Sequence, residues 1–403
     1  MKSWKLLIWG IMLVPLMVGT KSVAQEQDLG SPNDGPWLFS TRAGGEFSDN
    51  RDGVKNGKES NLDLFIEPRA DYRFRDGDRT VLDLAALPMV KWHSNPRDNS
   101  QGAGQNDTEL FGTAMAELSH QLTPRLLLSI GDAITYNDDP EVNNGGGNVR
   151  ASNNHIWNDA HANVEYALTE QLAGDVGGNY SLKRYSDSAV AANEDEDIFE
   201  GHADLKYKMG AGYKLIGNVG ASKFENNSVN VGDRGSSVLA VGGGVEKTFN
   251  PDLIGKVMAG YQHGEYENKS LKSIDTPNGS VELTMRAASE TRFRVGGSYG
   301  LYAPYVQPYS IQTLTAINAG VDHDVLSKRL TVSLNGQYGN GHYKAEGVNK
   351  GGDDTMVMVG VRADYRVNRN WSLEGGYSLE NWDSDVRESF TRNLVDFGVK
   401  VQL

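Results

Sequence analysis

From Trp37 to Leu403 apolar and polar residues alternate with a period of two, segment after segment. In the last segment Val395, Phe397, Val399, Val401 and Leu403 share one face with Asn393. Arg392, Leu394, Asp396, Gly398, Lys400 and Gln402 share the other. The same alternation runs through Phe293–Leu301, Leu330–Tyr338 and Val357–Val367. Successive strand side chains point to opposite faces, so this period predicts strands with one apolar and one polar side. No convincing helical period competes with it.

The connections alternate as well. Short turns fall at 75–78, 122–124, 168–170, 210–212, 250–251, 289–290, 326–328 and 368–370. Longer polar loops fall at 48–60, 93–107, 137–154, 186–197, 225–235, 268–280, 302–308, 344–353 and 383–389. Eight turns and nine loops predict about 18 strands, or 16 if a pair merges between Ser280 and Tyr309. Short turns at one end and long loops at the other are the pattern of an outer-membrane barrel, with both termini in the periplasm. The predicted fold class is therefore all-β: a transmembrane antiparallel up-and-down barrel. A two-sheet sandwich would alternate too. It would not account for the turn asymmetry, nor for aromatic residues near strand ends such as Trp37, Tyr72, Trp92, Tyr166, Phe249 and Trp371, which suit interfacial girdles.

Composition changes this picture little. Beyond the N-terminal segment no apolar run approaches the ~20 residues of a membrane helix, but a barrel strand meets lipid only at every second residue, so a mean hydropathy of −0.50 is compatible with one. The 47 glycines and 12 prolines suit strands packed around a curved sheet. There is no cysteine, so no disulfide contributes. Lys2 and Lys5, the apolar run Leu6–Val18 and the small residues of Ser22-Val23-Ala24 read as a cleavable secretion signal. The expected organisation is a signal peptide at 1–24, a periplasmic tail at 25–36 and a barrel at 37–403. The formal charge is −14, and loss of the three signal-segment lysines would leave −17, which argues against a nucleic-acid partner.

With the apolar faces outward, the inward faces carry the candidate chemistry. Asp63, Glu67, Arg69, Asp71 and Arg73 line one strand; His202, Asp204, Lys206 and Lys208 line another. Near the C-terminus come Arg292 and Arg294, then Arg362, Asp364 and Arg366, then Arg392, Asp396 and Lys400. Opposite charges on neighbouring strands are close enough to pair, which would stiffen the wall and keep the lumen wet. A sharper reading makes the arginines a path for an anionic or sugar-rich solute. At this strand number the interior is wide enough for an aqueous passage, unless loops or the Gln25–Pro36 tail fill it. The acidic runs Glu194–Asp197 and Asp138, Asp139, Glu141 lack Ca²⁺-loop spacing and read as solvated loops. No G-x-S-x-G, H-E-x-x-H or phosphate-loop pattern appears. No catalytic residue, metal ligand or cofactor is assigned.

Several short motifs resemble the putative β-barrel porin 2 family. They are Phe47-Ser48-Asp49-Asn50, Leu64-Phe65-Ile66-Glu67-Pro68, Leu122-Thr123-Pro124-Arg125-Leu126, Ser289-Glu290-Thr291-Arg292-Phe293, and Phe390-Thr391-Arg392-Asn393 with Phe397-Gly398. The resemblance implies a barrel through which exopolysaccharide or a product of its processing crosses the outer membrane, and it carries over no catalytic residue. The chain lacks a long periplasmic repeat domain, so polysaccharide transfer would need separate periplasmic export components. The other expected partners are outer-membrane lipid and the barrel-assembly machinery, which the C-terminal strand ending at Leu403 would address. Three functions compete: a monomeric channel for saccharides or small hydrophilic solutes, a closed surface scaffold or adhesin working through its acidic loops, and a lipid-modifying enzyme dependent on a histidine such as His155.

Overall fold

The computed structural model describes residues 35–95, 108–137, 154–228, 232–304, 308–346 and 350–403, apart from 52, 54 and 187. The expected signal peptide, nearly all of the N-terminal tail, and Asp138, Asp139 and Glu141 lie outside the described residues. The strands are β1 (Trp37–Ser48), β2 (Asn61–Asp76), β3 (Thr80–His93), β4 (Thr108–Thr123), β5 (Leu126–Asn137), β6 (His155–Ala167), β7 (Leu172–Tyr185), β8 (Glu196–Gly210) and β9 (Tyr213–Glu225). A two-residue ladder, β10 (Asn227–Ser228) with β11 (Gly232–Asp233), follows. Then come β12 (Ser236–Asn250), β13 (Leu253–Tyr266), β14 (Ile274–Ala287), β15 (Thr291–Tyr302), β16 (Gln312–Val325), β17 (Leu330–Tyr343), β18 (Gly352–Arg366), β19 (Trp371–Ser384) and β20 (Phe390–Gln402).

Apart from the small ladder, each strand pairs antiparallel with its sequence neighbours, and β20 returns to β1 with Ser40 opposite Gln402 and Phe47 opposite Val395. The result is one closed sheet of 18 strands. Closure leaves no edge strand, so the wall backbone pairs strand to strand around the barrel rather than with water. No helix among the described residues is long and apolar enough to cross a membrane. Connections at one end span two to four residues, and those at the other span five to seventeen.

Every second residue faces out, and most of these are apolar. Leu62, Leu64 and Ile66 stand exposed on β2, while their neighbours Asn61, Asp63 and Phe65 are buried against the interior. Around the barrel the outward set includes Leu110, Val176, Val241, Val257 and Phe397, each more than half exposed. Such a band is stable only against hydrocarbon. Gly44 shows how tightly the closing seam packs. A Cβ there would stand 2.0 Å from the Phe397 carbonyl oxygen and 2.9 Å from the Phe65 ring.

Two features depart from the sequence reading. Residues Ser188–Glu194 form a short helix where only a polar loop is expected. The acidic run Glu194–Asp197 begins at the helix's last residue, and its second half is not a solvated loop. Glu196 and Asp197 open β8, where the Lys183 ammonium donates to Glu196 at 3.0 Å and the Arg184 guanidinium grips Asp197 at 2.6 and 2.7 Å. The cations come from β7, whose register brings Lys183 opposite Glu196.

Candidate functional site: the charged lumen and its cavity

The inward face of β1, β18, β19 and β20 carries a knot of charge. Glu374 on β19 is buried between two arginines: Arg362 Nη2 donates to it at 2.5 Å, and Arg42 Nε lies 2.8 Å away as an ion pair without hydrogen-bond alignment. Asp396 takes the other ends of both guanidiniums, at 3.1 Å from Arg42 and 3.3 Å from Arg362. Asp364 faces Arg362 Nε at 3.3 Å. Further along the same two strands, β19 and β20, Arg392 donates to Glu380 at 2.8 Å. Arg366 and Lys400 lie on the same inward faces.

The other sequence-selected residues are spread around the wall rather than gathered at one point. Arg69 chelates Asp71 on its own strand through two bonds of 2.7 and 2.8 Å, and Arg73 bonds Asp83 on β3. Glu67 shares that face. Asp63 receives His93 Nδ1 at 2.7 Å, with Lys91 3.8 Å away. Arg294 donates to Asp322 on β16 at 2.8 Å, while Arg292 is exposed nearer the turn end. Asp204 accepts from Asn218 at 2.5 Å, and Lys206 bridges Glu165 at 3.3 Å and Asp175 at 3.7 Å. The sequence selection missed Arg42, Glu165, Asp175, Glu374 and Glu380. Extending the inward parity through every strand, rather than through the most charged ones, would have found all five.

At the long-loop end of the barrel, the described residues Tyr309, Ser310 and Ile311 of the connection after β15 pack against the interior wall. Ile311 from it joins Val238, Tyr266, Ile274 and Leu301 in an apolar cluster. Polar contacts pin it: Arg234 Nε donates to the Tyr309 carbonyl at 3.0 Å, Ser236 Oγ to the Ser310 carbonyl at 2.8 Å, and Ser310 N and Oγ to the Glu346 carboxylate at 3.0 to 3.1 Å. Tyr309 also packs on Tyr343 at 4.7 Å. Burial pushes the Glu346 carboxyl above its ordinary range, against the opposing pull of the Ser310 donors and Arg234. Burial likewise lowers the Arg234 guanidinium and raises the Tyr309 phenol.

Between this inward connection and the wall of β4 to β9, β12 and β13 lies a cavity of about 260 Å³. Tyr302 and Ala303 cover it on one side. Its upper wall is apolar, made by Ile198, Phe224, Val238 and Ala240. Its lower wall is polar, with Glu117, His161, Asn163, Glu200 and His202. His161 stands 3.3 Å from Glu117, and His202 stands 3.0 Å from Asp175. Glycines make room for these rings. A Cβ at Gly131 would meet His161 at 2.2 Å, and one at Gly177 would meet His202 at 2.7 Å. No group of three or more potential metal ligands occurs among the described residues.

The family model of putative β-barrel porin 2 matches residues 215–403, which run from early β9 to the C-terminus. No curated protein matches the chain. Among solved structures, the outer-membrane protein OpdK of Pseudomonas aeruginosa is 10% identical, with 91% of this chain and 99% of that chain covered and a TM-score of 0.48. OccAB4 of Acinetobacter baumannii is 13% identical, with 91% and 98% covered and a TM-score of 0.46. The siderophore receptor PirA of Pseudomonas aeruginosa is 8% identical, with 92% and 80% covered and a TM-score of 0.45. At these values the structural likenesses add nothing to what the strand register shows.

Proposed function

We propose, for a closed barrel whose C-terminal half matches the putative β-barrel porin 2 family, that the protein passes small hydrophilic solutes across the outer membrane, with saccharides as the preferred class. The supporting observation is that the inward strand faces carry polar side chains around the closed barrel, among them Asn163 on β6, Asn278 on β14 and Gln337 on β17. Amide side chains both donate and accept hydrogen bonds, so a lumen lined with them can exchange hydrogen bonds with the hydroxyls of a passing solute. Meanwhile the strong charges are largely neutralised within the wall, which suits neutral polyols better than ions. Exopolysaccharide is the polymeric case that the family resemblance implies.

A closed-scaffold reading has one observation in its favour, the inward packing of Tyr309, Ser310 and Ile311 at the mouth. Purified protein in planar bilayers separates the two. The channel reading expects stepwise conductance that maltodextrins reduce in a concentration-dependent way. A barrel that is silent under all voltages, and impermeable to sugars in proteoliposome swelling, would overturn it.

A further inference from the structure

We infer that the lumen cavity beneath Tyr302 is a binding subsite for a small organic cation, an ammonium group carried on a compact apolar body. The inference goes beyond passage of neutral solutes and needs only the cavity.

It starts from Glu200. This residue lies on the inward face of β8, opposite Asn179 on β7 and Ser222 on β9, and it lines the cavity. No lysine or arginine pairs with it among the described residues. Its hydrogen-bond partner among the described residues is the neutral amide of Asn179, and its charged neighbours are a second carboxylate, Asp159, and His202. Both cavity histidines are already engaged, His161 by Glu117 and His202 by Asp175. The contrast with the rest of the lumen is sharp: Glu374, Glu380 and Asp322 are each held by an arginine. A carboxyl withdrawn from bulk water without a cation is unfavourable, and a ligand that brings the cation relieves it.

The rest of the lining fixes what carries the charge. Directly above Glu200 the wall turns apolar, with Ile198 on the same strand and Val238 and Ala240 on β12. Phe224 and Tyr302 add two aromatic rings, which favour a cation near their faces. An inorganic cation would forfeit these surfaces, and an anion would meet Glu200 and Asp159, since the lining Lys223 is already paired with Glu225 and Glu267. A ring bearing an aminomethyl group satisfies both halves at once.

Isothermal titration calorimetry on the detergent-solubilised full-length barrel at pH 7.5 tests this, with benzylammonium as probe and benzyl alcohol and benzoate as size-matched controls. Benzylammonium is expected to bind the parent at least tenfold more tightly than either control. Glu200→Gln should lose that preference, and Glu200→Asp should retain part of it. Heat-modifiable gel mobility checks that each variant is a folded barrel. Equal benzylammonium affinity for the parent and Glu200→Gln, or benzoate binding as tight as benzylammonium, overturns the inference. Binding is read without conductance, so a silent barrel that binds the amine fails only the passage reading, and a conducting barrel that ignores it fails only this one.

Discussion

Glu374 offers the most direct test of the charge-paired wall. It sits on β19, between Arg362 on β18 and Arg42 across the closing strand β20 on β1, so it ties three strand pairs at the seam. Glu374→Gln keeps the shape and removes the charge. The loss is one charge-assisted hydrogen bond, worth roughly 1.5–3 kcal/mol, plus one ion-pair contact. Asp396 remains within 3.3 Å of both guanidiniums. The arginine side chains are 14% and 26% exposed to the lumen, so water compensates part of the loss. The expected destabilisation is about 1–2 kcal/mol. Equilibrium urea unfolding of the micelle-embedded barrel, followed by tryptophan fluorescence, should show a lower midpoint at unchanged slope. The knot holds two arginines against three carboxylates, Asp364, Glu374 and Asp396, and the variant removes one negative charge. The reversal potential in a salt gradient should therefore move toward anion selectivity. If neither the midpoint nor the reversal potential moves, the knot is not what holds this part of the wall.

Three further outcomes follow from single features. Asp132 faces lipid between Ile130 and Ile134, with Asn158 at 2.6 Å as its hydrogen-bond partner among the described residues, so Asp132→Leu should stabilise the barrel by about 1–2 kcal/mol in the same urea assay; destabilisation would mean that this side chain does not meet hydrocarbon. Gly44→Val drives a side chain into the Phe397 carbonyl across the seam and should cost about 3 kcal/mol, seen as loss of the compact band on unheated gels; a normal band would contradict the seam geometry. Glu346 has a raised pKa where it receives Ser310, so the ionised form is the one the packed connection disfavours. That contribution to packing is greatest at acid pH and falls as pH climbs from the ordinary carboxyl range through the raised value. Hydrogen exchange at the Ser310 amide should accordingly be slower, after correction for intrinsic rates, at pH 5 than at pH 8. Glu346→Gln should remove the difference, and an unchanged pH dependence in that variant rules out Glu346 as its source.

Much of the architecture was legible without coordinates. Alternation at Val395–Leu403 or Val357–Val367 assigns each side chain to lipid or lumen because the strand period is an integer, and one register error would flip the whole set. Turn lengths divided the ends for a similarly local reason: two-to-four-residue reversals constrain both flanking strands. The inward positions of Arg69, Arg362 and Asp396 follow from the same parity, since neighbouring strands in register share a face.

What required the tertiary structure was everything that depends on meeting across the barrel or across its closure. The Arg42–Glu374–Arg362 knot joins residues over 300 positions apart, and only the β1–β20 register brings them together. The inward turn of Tyr309 and Ile311 depends on partners at Arg234, Ser236 and Glu346, which lie in other connections and leave no local pattern. Phe65 and Trp382 follow strand parity yet defy the polar-inside rule, because Arg42 and Arg387 cover their rings with cations. The cavity is the clearest case. It exists because Gly131 and Gly177 recess the wall opposite a tyrosine delivered from β15, five strands away around the sheet from β8, and local sequence says nothing about such distances.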